Sequence, residues 1–72
     1  MEHAIRLSDL ETAKNTNDIG FLEGQLATAR KVVQEGGTVK IQQQLSDASF
    51  ETLHVLDTLE LVESFLSNYL KP

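Results

Sequence analysis

A chain of 72 residues with eleven acidic and six basic side chains, a formal net charge of −5 and no cysteine makes one domain at most, held by neither disulfides nor a cysteine-ligated metal. A core of this size contributes only about 3–5 kcal/mol, so self-association is the staple that composition leaves available; two histidines would leave a zinc ion dependent on carboxylates. The acidic balance repels phosphate backbones, and residues 41–70 carry no Lys or Arg at all, which argues against direct nucleic-acid binding.

The chain opens Met1-Glu2-His3-Ala4-Ile5-Arg6, with no apolar stretch after it to serve as a signal peptide. Its strongly apolar runs are pairs such as Val32-Val33 and Phe65-Leu66, far short of the roughly 20 apolar residues a membrane span needs. The expectation is a cytoplasmic protein that does not enter membranes.

Ser8-Asp9-Leu10-Glu11 reads as a capping box, so a first helix is predicted over about 8–35. Ile19, Leu22, Leu26, Ala29 and Val33 carry a helical rhythm. Nothing from Thr12 to Asp18 is more apolar than Ala13, and a break at Asn15-Thr16-Asn17 with a restart is the alternative to one helix with a weak middle. Gly20 and Gly24, four residues apart, either weaken this helix or mark a close approach by another. Gly36-Gly37 is the clearest stop, since glycine tolerates the positive φ that closes many helices.

Past the glycines, Thr38 can N-cap a second helix predicted over about 38–70. Ile41, Leu45, Ala48, Thr52, Val55, Leu59, Val62, Leu66 and Tyr69 alternate spacings of four and three, which keeps one side of a helix facing inward throughout. Ser46 or Ser49 offers a cap for a shorter helix. Thr38-Val39-Lys40-Ile41-Gln42 alternates as a strand would, but a lone strand has no partner in an otherwise helical chain and would need an intermolecular sheet. Helix is therefore preferred. Arg30 and Lys31 near the end of the first helix, and Lys71 near the end of the second, offset the helix dipole; Asp9 and Glu11 do so at the start of the first.

The fold class expected is all-α, an antiparallel helical hairpin. Residues 55–70 add Leu56, Leu61, Phe65 and Leu70 to the inward stripe. A helix apolar around most of its girth is normally buried, and each Leu or Phe left in water forgoes roughly 1.5–3 kcal/mol. A homodimer forming a four-helix bundle is preferred, with Leu45, Val55, Leu56, Leu59, Leu61, Val62, Phe65, Leu66 and Tyr69 at the interface; the alternative is a monomer in which Ala4, Ile5, Leu7 and Leu10 fold back over the exposed side. Asp57, Glu60 and Glu63 would form an acidic face for a protein partner.

Candidate chemistry is thin. Glu51-Thr52-Leu53-His54 is the Glu-x-x-His pair of di-metal bundles, with Glu23 as a further ligand to seek, but both residues flank the inward stripe, so no metal or cofactor is assigned. His54, three residues from Glu51 and from Asp57, would sit among acidic neighbours on a helix, and its protonation would tune the dimer. Serines and acids accompany His54 without a pocket for substrate, and Gly36-Gly37 lacks the Gly-Lys-Ser/Thr of a phosphate loop. Catalysis is not expected. Arg30, Lys31 and Lys40 would gather near the turn, where the helix dipole accounts for them.

With two long helical segments around Gly36-Gly37 in a short acidic chain, the sequence resembles the small accessory proteins encoded between the exonuclease and excisionase genes of lambdoid phages. Small antitoxins and anti-repressors have a similar look. The resemblance implies a protein that modulates phage development or host physiology through protein contacts. The functional expectation is a regulatory or adaptor module that binds itself and another protein. Its alternatives are a self-assembling structural subunit and an acidic decoy for a nucleic-acid-binding protein.

Overall fold

Residues 2–70 are described by a computed structural model. Strand β1 (Glu2–Arg6) runs without a loop into helix α1 (Leu7–Asn15), followed by helix α2 (Ile19–Gln34), strands β2 (Thr38–Gln44) and β3 (Phe50–Leu56), and helix α3 (Leu59–Leu70). The strands form one sheet in the order β1-β2-β3. β1 lies parallel to β2, with Ile5 beside Ile41, and β2 is antiparallel to β3, with Val39 beside Leu56. The chain is α+β, which overturns the all-α hairpin and, with it, the four-helix bundle.

The predicted second helix is the main correction. Its stretch holds two strands, a loop and a helix of 12 residues. A strand at 38–42 does have partners within the chain, and two of them: residues 2–6 and 50–56. Alternation decides the matter locally. Val39 and Ile41 are buried while Thr38, Lys40 and Gln42 are only half-buried, the period of two that a strand produces. The four-and-three spacing survives in true helical form only from Leu59 onward, where Val62 and Leu66 are buried against α2.

Between the strands, residues 45–49 make the turn. Asp47 accepts hydrogen bonds from the Ser49 amide at 3.1 Å and from its hydroxyl at 2.6 Å, and Ala48 takes a φ of 69°. Ser46 and Ser49 thus belong to a turn rather than a helix cap. A bulge then shifts the β2–β3 register between Ile41 and Gln42: His54 stands beside Ile41, but Thr52 beside Gln42. The extra residue is on β3, and parity past it is reversed.

The first predicted helix divides at the alternative break. α1 ends at Asn15, Asn17 turns left-handed at φ 57°, and Asp18 caps α2 by accepting from the Phe21 amide at 3.2 Å. Left-handed backbone is a conformation that Asn tolerates better than most residues. The capping box at Ser8 does not form. α1 starts at Leu7, its N-cap is Arg6, and no side chain caps it. Asp9 does lie in its first turn, and Lys31 in the last turn of α2; Lys71 lies outside the described residues.

Gly36-Gly37 closes α2 as expected. Gly36, at φ 85°, donates to the Val33 carbonyl at 3.0 Å and Gly37 to Val32 at 2.8 Å, the paired bonds of a Schellman ending. Thr38 then opens β2 instead of capping a helix. Gly24 marks no close approach, for nothing beyond its own helix backbone comes within 4 Å of where a Cβ would stand.

The core lies between one face of the sheet and the helices. Ile5, Val39, Ile41 and Leu56 meet Leu10, Leu22, Leu26, Ala29, Val32, Val62 and Leu66. The opposite sheet face has no layer over it: the cross-strand row Ala4-Lys40-Val55 is followed by Arg6-Gln42-Thr52, and Ala4, Arg6, Thr52 and Val55 are exposed.

Candidate functional site

Large apolar side chains left in water concentrate in one part of the chain. Among the described residues they are Ile19, Leu45, Phe50, Val55, Leu59 and Leu61, and all but Ile19 belong to the hairpin loop, β3 and the start of α3. Parity along the ladder assigns the strand members to faces. Val55 lies beside Lys40 and Phe50 beside Gln44, so both stand on the open face of the sheet. The Arg6 guanidinium covers the Phe50 ring, 5.1 Å from its centroid, while leaving Phe50 45% exposed.

On the inner face, His54 continues the row Ile5-Ile41 and rests against Phe65, ring centroids 4.9 Å apart. Phe65 in turn meets Tyr69 at 5.7 Å. Leu61 is one turn before Phe65 and shares its side of α3. The aromatic run His54-Phe65-Tyr69 thus starts on β3 and ends at Tyr69, beside Lys14 of α1.

Of the residues expected at an interface, the structure divides three kinds. Leu56, Val62 and Leu66 are buried in the core of the single chain. Phe65 and Tyr69 are half-buried against that core. Leu45, Val55, Leu59 and Leu61 are exposed, though spread over a loop, a strand and a helix rather than one helical stripe. Phe50 escaped the sequence reading. Its signal was present: Phe50-Glu51-Thr52-Leu53-His54-Val55 is rich in aromatic and β-branched residues and follows the turn cluster Ser46-Asp47-Ala48-Ser49, the pattern of a hairpin's second strand.

The acidic residues do not act alike. Asp57 and Glu60 are exposed beside the start of α3, where carboxylates favour the helix dipole. Glu63 is engaged by Arg30 of α2 through two hydrogen bonds, one at 2.8 Å from Nη2 to Oε2. That contact holds the Glu63 carboxyl below its ordinary pKa and raises Arg30 above its own. Lys40 pairs with Glu2 at 3.0 Å. Arg30 and Lys40 are thereby matched to separate carboxylates.

Glu51 and His54 lie on a strand, not a helix, so His54 has Phe65 as its neighbour and not the Asp57 expected one helical turn on. The bulge brings Glu51 and His54 to the same face, Glu51 beside Gln43 and accepting from its amide at 3.3 Å. Glu23 belongs to α2, and no group of three or more His, Asp or Glu gathers in metal-binding geometry among the described residues. His3 bonds Gln25 at 3.2 Å.

Two shallow depressions flank α1. One, of about 480 Å³, is lined by Leu7, Glu11, Lys14, Asn15 and Tyr69; the other, of about 190 Å³, lies between α1 and α2 over Thr12, Ala13 and Phe21. The Tyr69 phenol is pushed above its ordinary pKa by burial and by the nearby Glu11 carboxylate. Among the described residues, no helix is long and apolar enough to cross a membrane. Compared with known proteins, the chain matches no family model, no curated protein and no solved structure.

Proposed function

We propose that this protein is a non-enzymatic regulatory or adaptor module that works through protein contacts, with β3, its preceding loop and the start of α3 as the contact surface. One observation carries the reading: among the described residues, five of the six exposed large hydrophobics fall between Leu45 and Leu61. Exposed apolar side chains scattered singly need no explanation, but their concentration is the mark of an interaction surface. A chain with a small core gains little by leaving Phe50, Val55 and Leu61 in water, so a partner that covers them stabilises the fold as it binds. A role in the cytoplasm, of the kind played by phage accessory proteins, fits this reading.

The test is affinity capture from cell lysate with the full chain and with Val55→Glu/Leu61→Glu. Both substituted side chains are exposed, so the fold tolerates them. The wild type is expected to retain a foreign chain that the variant loses. Retention of the same proteins by both, or of none by either, would refute this surface as the contact for a foreign chain.

A further inference from the structure

We propose that the free edge of β3 pairs with β3 of a second copy of this chain, antiparallel, with Phe50 opposite Val55 and Glu51 opposite His54. The inference rests on the contact surface just described and names its occupant.

β3 is seven residues long and has a strand neighbour on one side only. A free edge presents a row of backbone donors and acceptors to any strand that fits, and proteins that keep an edge single use Lys, Pro, inward charges or bulges; the bulge and Glu51 of β3 therefore restrict pairing to a strand whose register and charge match them. Of Lys and Pro, β3 has neither. In a symmetric antiparallel pair, residues directly opposite must stand on the same face of the joined sheet. The bulge determines which registers meet that condition. Phe50, Thr52 and Val55 face outward with Gln44, Gln42 and Lys40; Glu51, His54 and Leu56 face inward with Gln43, Ile41 and Val39.

Two registers keep the faces matched over the strand. One sets Phe50 against Asp57, Glu51 against Leu56 and Thr52 against Val55, which puts a carboxylate on a hydrocarbon at two of its three contacts. The other sets Phe50 against Val55 and Glu51 against His54, and symmetry repeats both contacts. In this second register Phe50 and Val55, which are 45% and 50% exposed in the single chain, cover each other. A carboxylate meets an imidazole, which donates a hydrogen bond to it in either ionisation state. Leu61 and Phe65 border the same edge.

The other sheet edge is β1, and its charged groups are already committed: Glu2 to Lys40 at 3.0 Å, Arg6 over the Phe50 ring. Among its described residues β1 exposes no large hydrophobic side chain. The apolar surface that pairing would cover is on β3.

Sedimentation of the full chain over a range of concentrations tests the pairing, with Val55→Glu, His54→Glu and the double variant Glu51→Lys/His54→Glu beside the wild type. Val55 lies beside Lys40 on the open face of its own sheet and is half-exposed, so Val55→Glu places a carboxylate next to a cation in the monomer while losing both Phe50 contacts of the dimer; circular dichroism verifies the fold. The wild type is expected to be a dimer. Val55→Glu and His54→Glu are each expected to weaken it by about tenfold or more, since each acts twice across the two-fold axis. The double variant, which restores opposite charges, is expected to recover most of the loss, as coupled residues do and independent ones do not. A dimer indifferent to Val55→Glu, or a double variant no better than His54→Glu alone, would overturn this register. A monomeric wild type would overturn the second copy as occupant; whether the surface takes a foreign chain is read separately, by the capture experiment.

Discussion

Tyr69 is the only tyrosine of a chain that has no tryptophan, which makes its titration visible by absorbance. Burial and the Glu11 carboxylate both favour the neutral phenol, so its pKa in the folded protein lies above the ordinary 10.0. A folded-state pKa above the unfolded one contributes stability that is fully present below pH 10 and is lost as pH rises through the folded value. The tyrosinate absorbance is expected to appear at higher pH in the native protein than in urea, and Tyr69→Phe to flatten the alkaline loss of stability. Equal midpoints in the two states would show the ring to be free of Glu11 and of the core. Glu63 and Asp47 work in the opposite direction. Their carboxyls are held below the usual range, Glu63 by Arg30 and Asp47 by the Ser49 hydroxyl. Their contributions are present above the unfolded carboxyl pKa and fade as pH falls through the folded values.

Helix ends are where local reading and structure part most clearly. Ser8-Asp9-Leu10-Glu11 has the composition of a capping box, yet β1 delivers the chain into α1 without a loop, and Ser8 lies inside the helix rather than before it. Asp18, which no capping pattern singled out, caps α2 through the Phe21 amide. The contrast is measurable by denaturation. Asp18→Ala is expected to cost about 1 kcal/mol, the usual loss of an N-cap, whereas Ser8→Ala is expected to be neutral or slightly stabilising, since Ala is the better helix former. The reverse order would place the first helix start at Ser8 after all. Thr58 does for α3 what Asp18 does for α2, accepting from the Leu61 amide at 3.1 Å. It stands inside the stretch that periodicity alone assigned to one continuous helix.

The parallel β1–β2 pair ties the whole molecule together. Strands 2–6 and 38–42 are neighbours in the sheet although α1 and α2 lie between them in the chain. Ile5 and Ile41 lie side by side in that pair, 3% and 0% exposed. Ile41→Ala is expected to remove about 2–5 kcal/mol, comparable to the whole contribution expected of a core this size. Chemical denaturation of that variant should find much of the population unfolded in water; a loss well under 1 kcal/mol would mean that the sheet does not hold the core.

Some of this was legible in order of residues. Gly36-Gly37 ended a helix because only a residue at ease with positive φ fits there, a constraint local to the glycines themselves. The rhythm of Leu22, Leu26 and Ala29, and of Val62 and Leu66, read correctly as helix faces because their partners in the pattern are one turn away. The strands were not legible in the same way. Thr38-Val39-Lys40-Ile41-Gln42 alternates as a strand must, but a strand is stable only beside another, and one partner lies more than thirty residues upstream. The contact surface depended on that pairing. Phe50 and Val55 lie on one open face only because a bulge and a ladder put them there, and no helical wheel drawn from the same letters would have brought them together. Residue order determined composition, helix faces and stops; tertiary structure decided which apolar groups were buried, since burial in a sheet is settled by a neighbour distant along the chain.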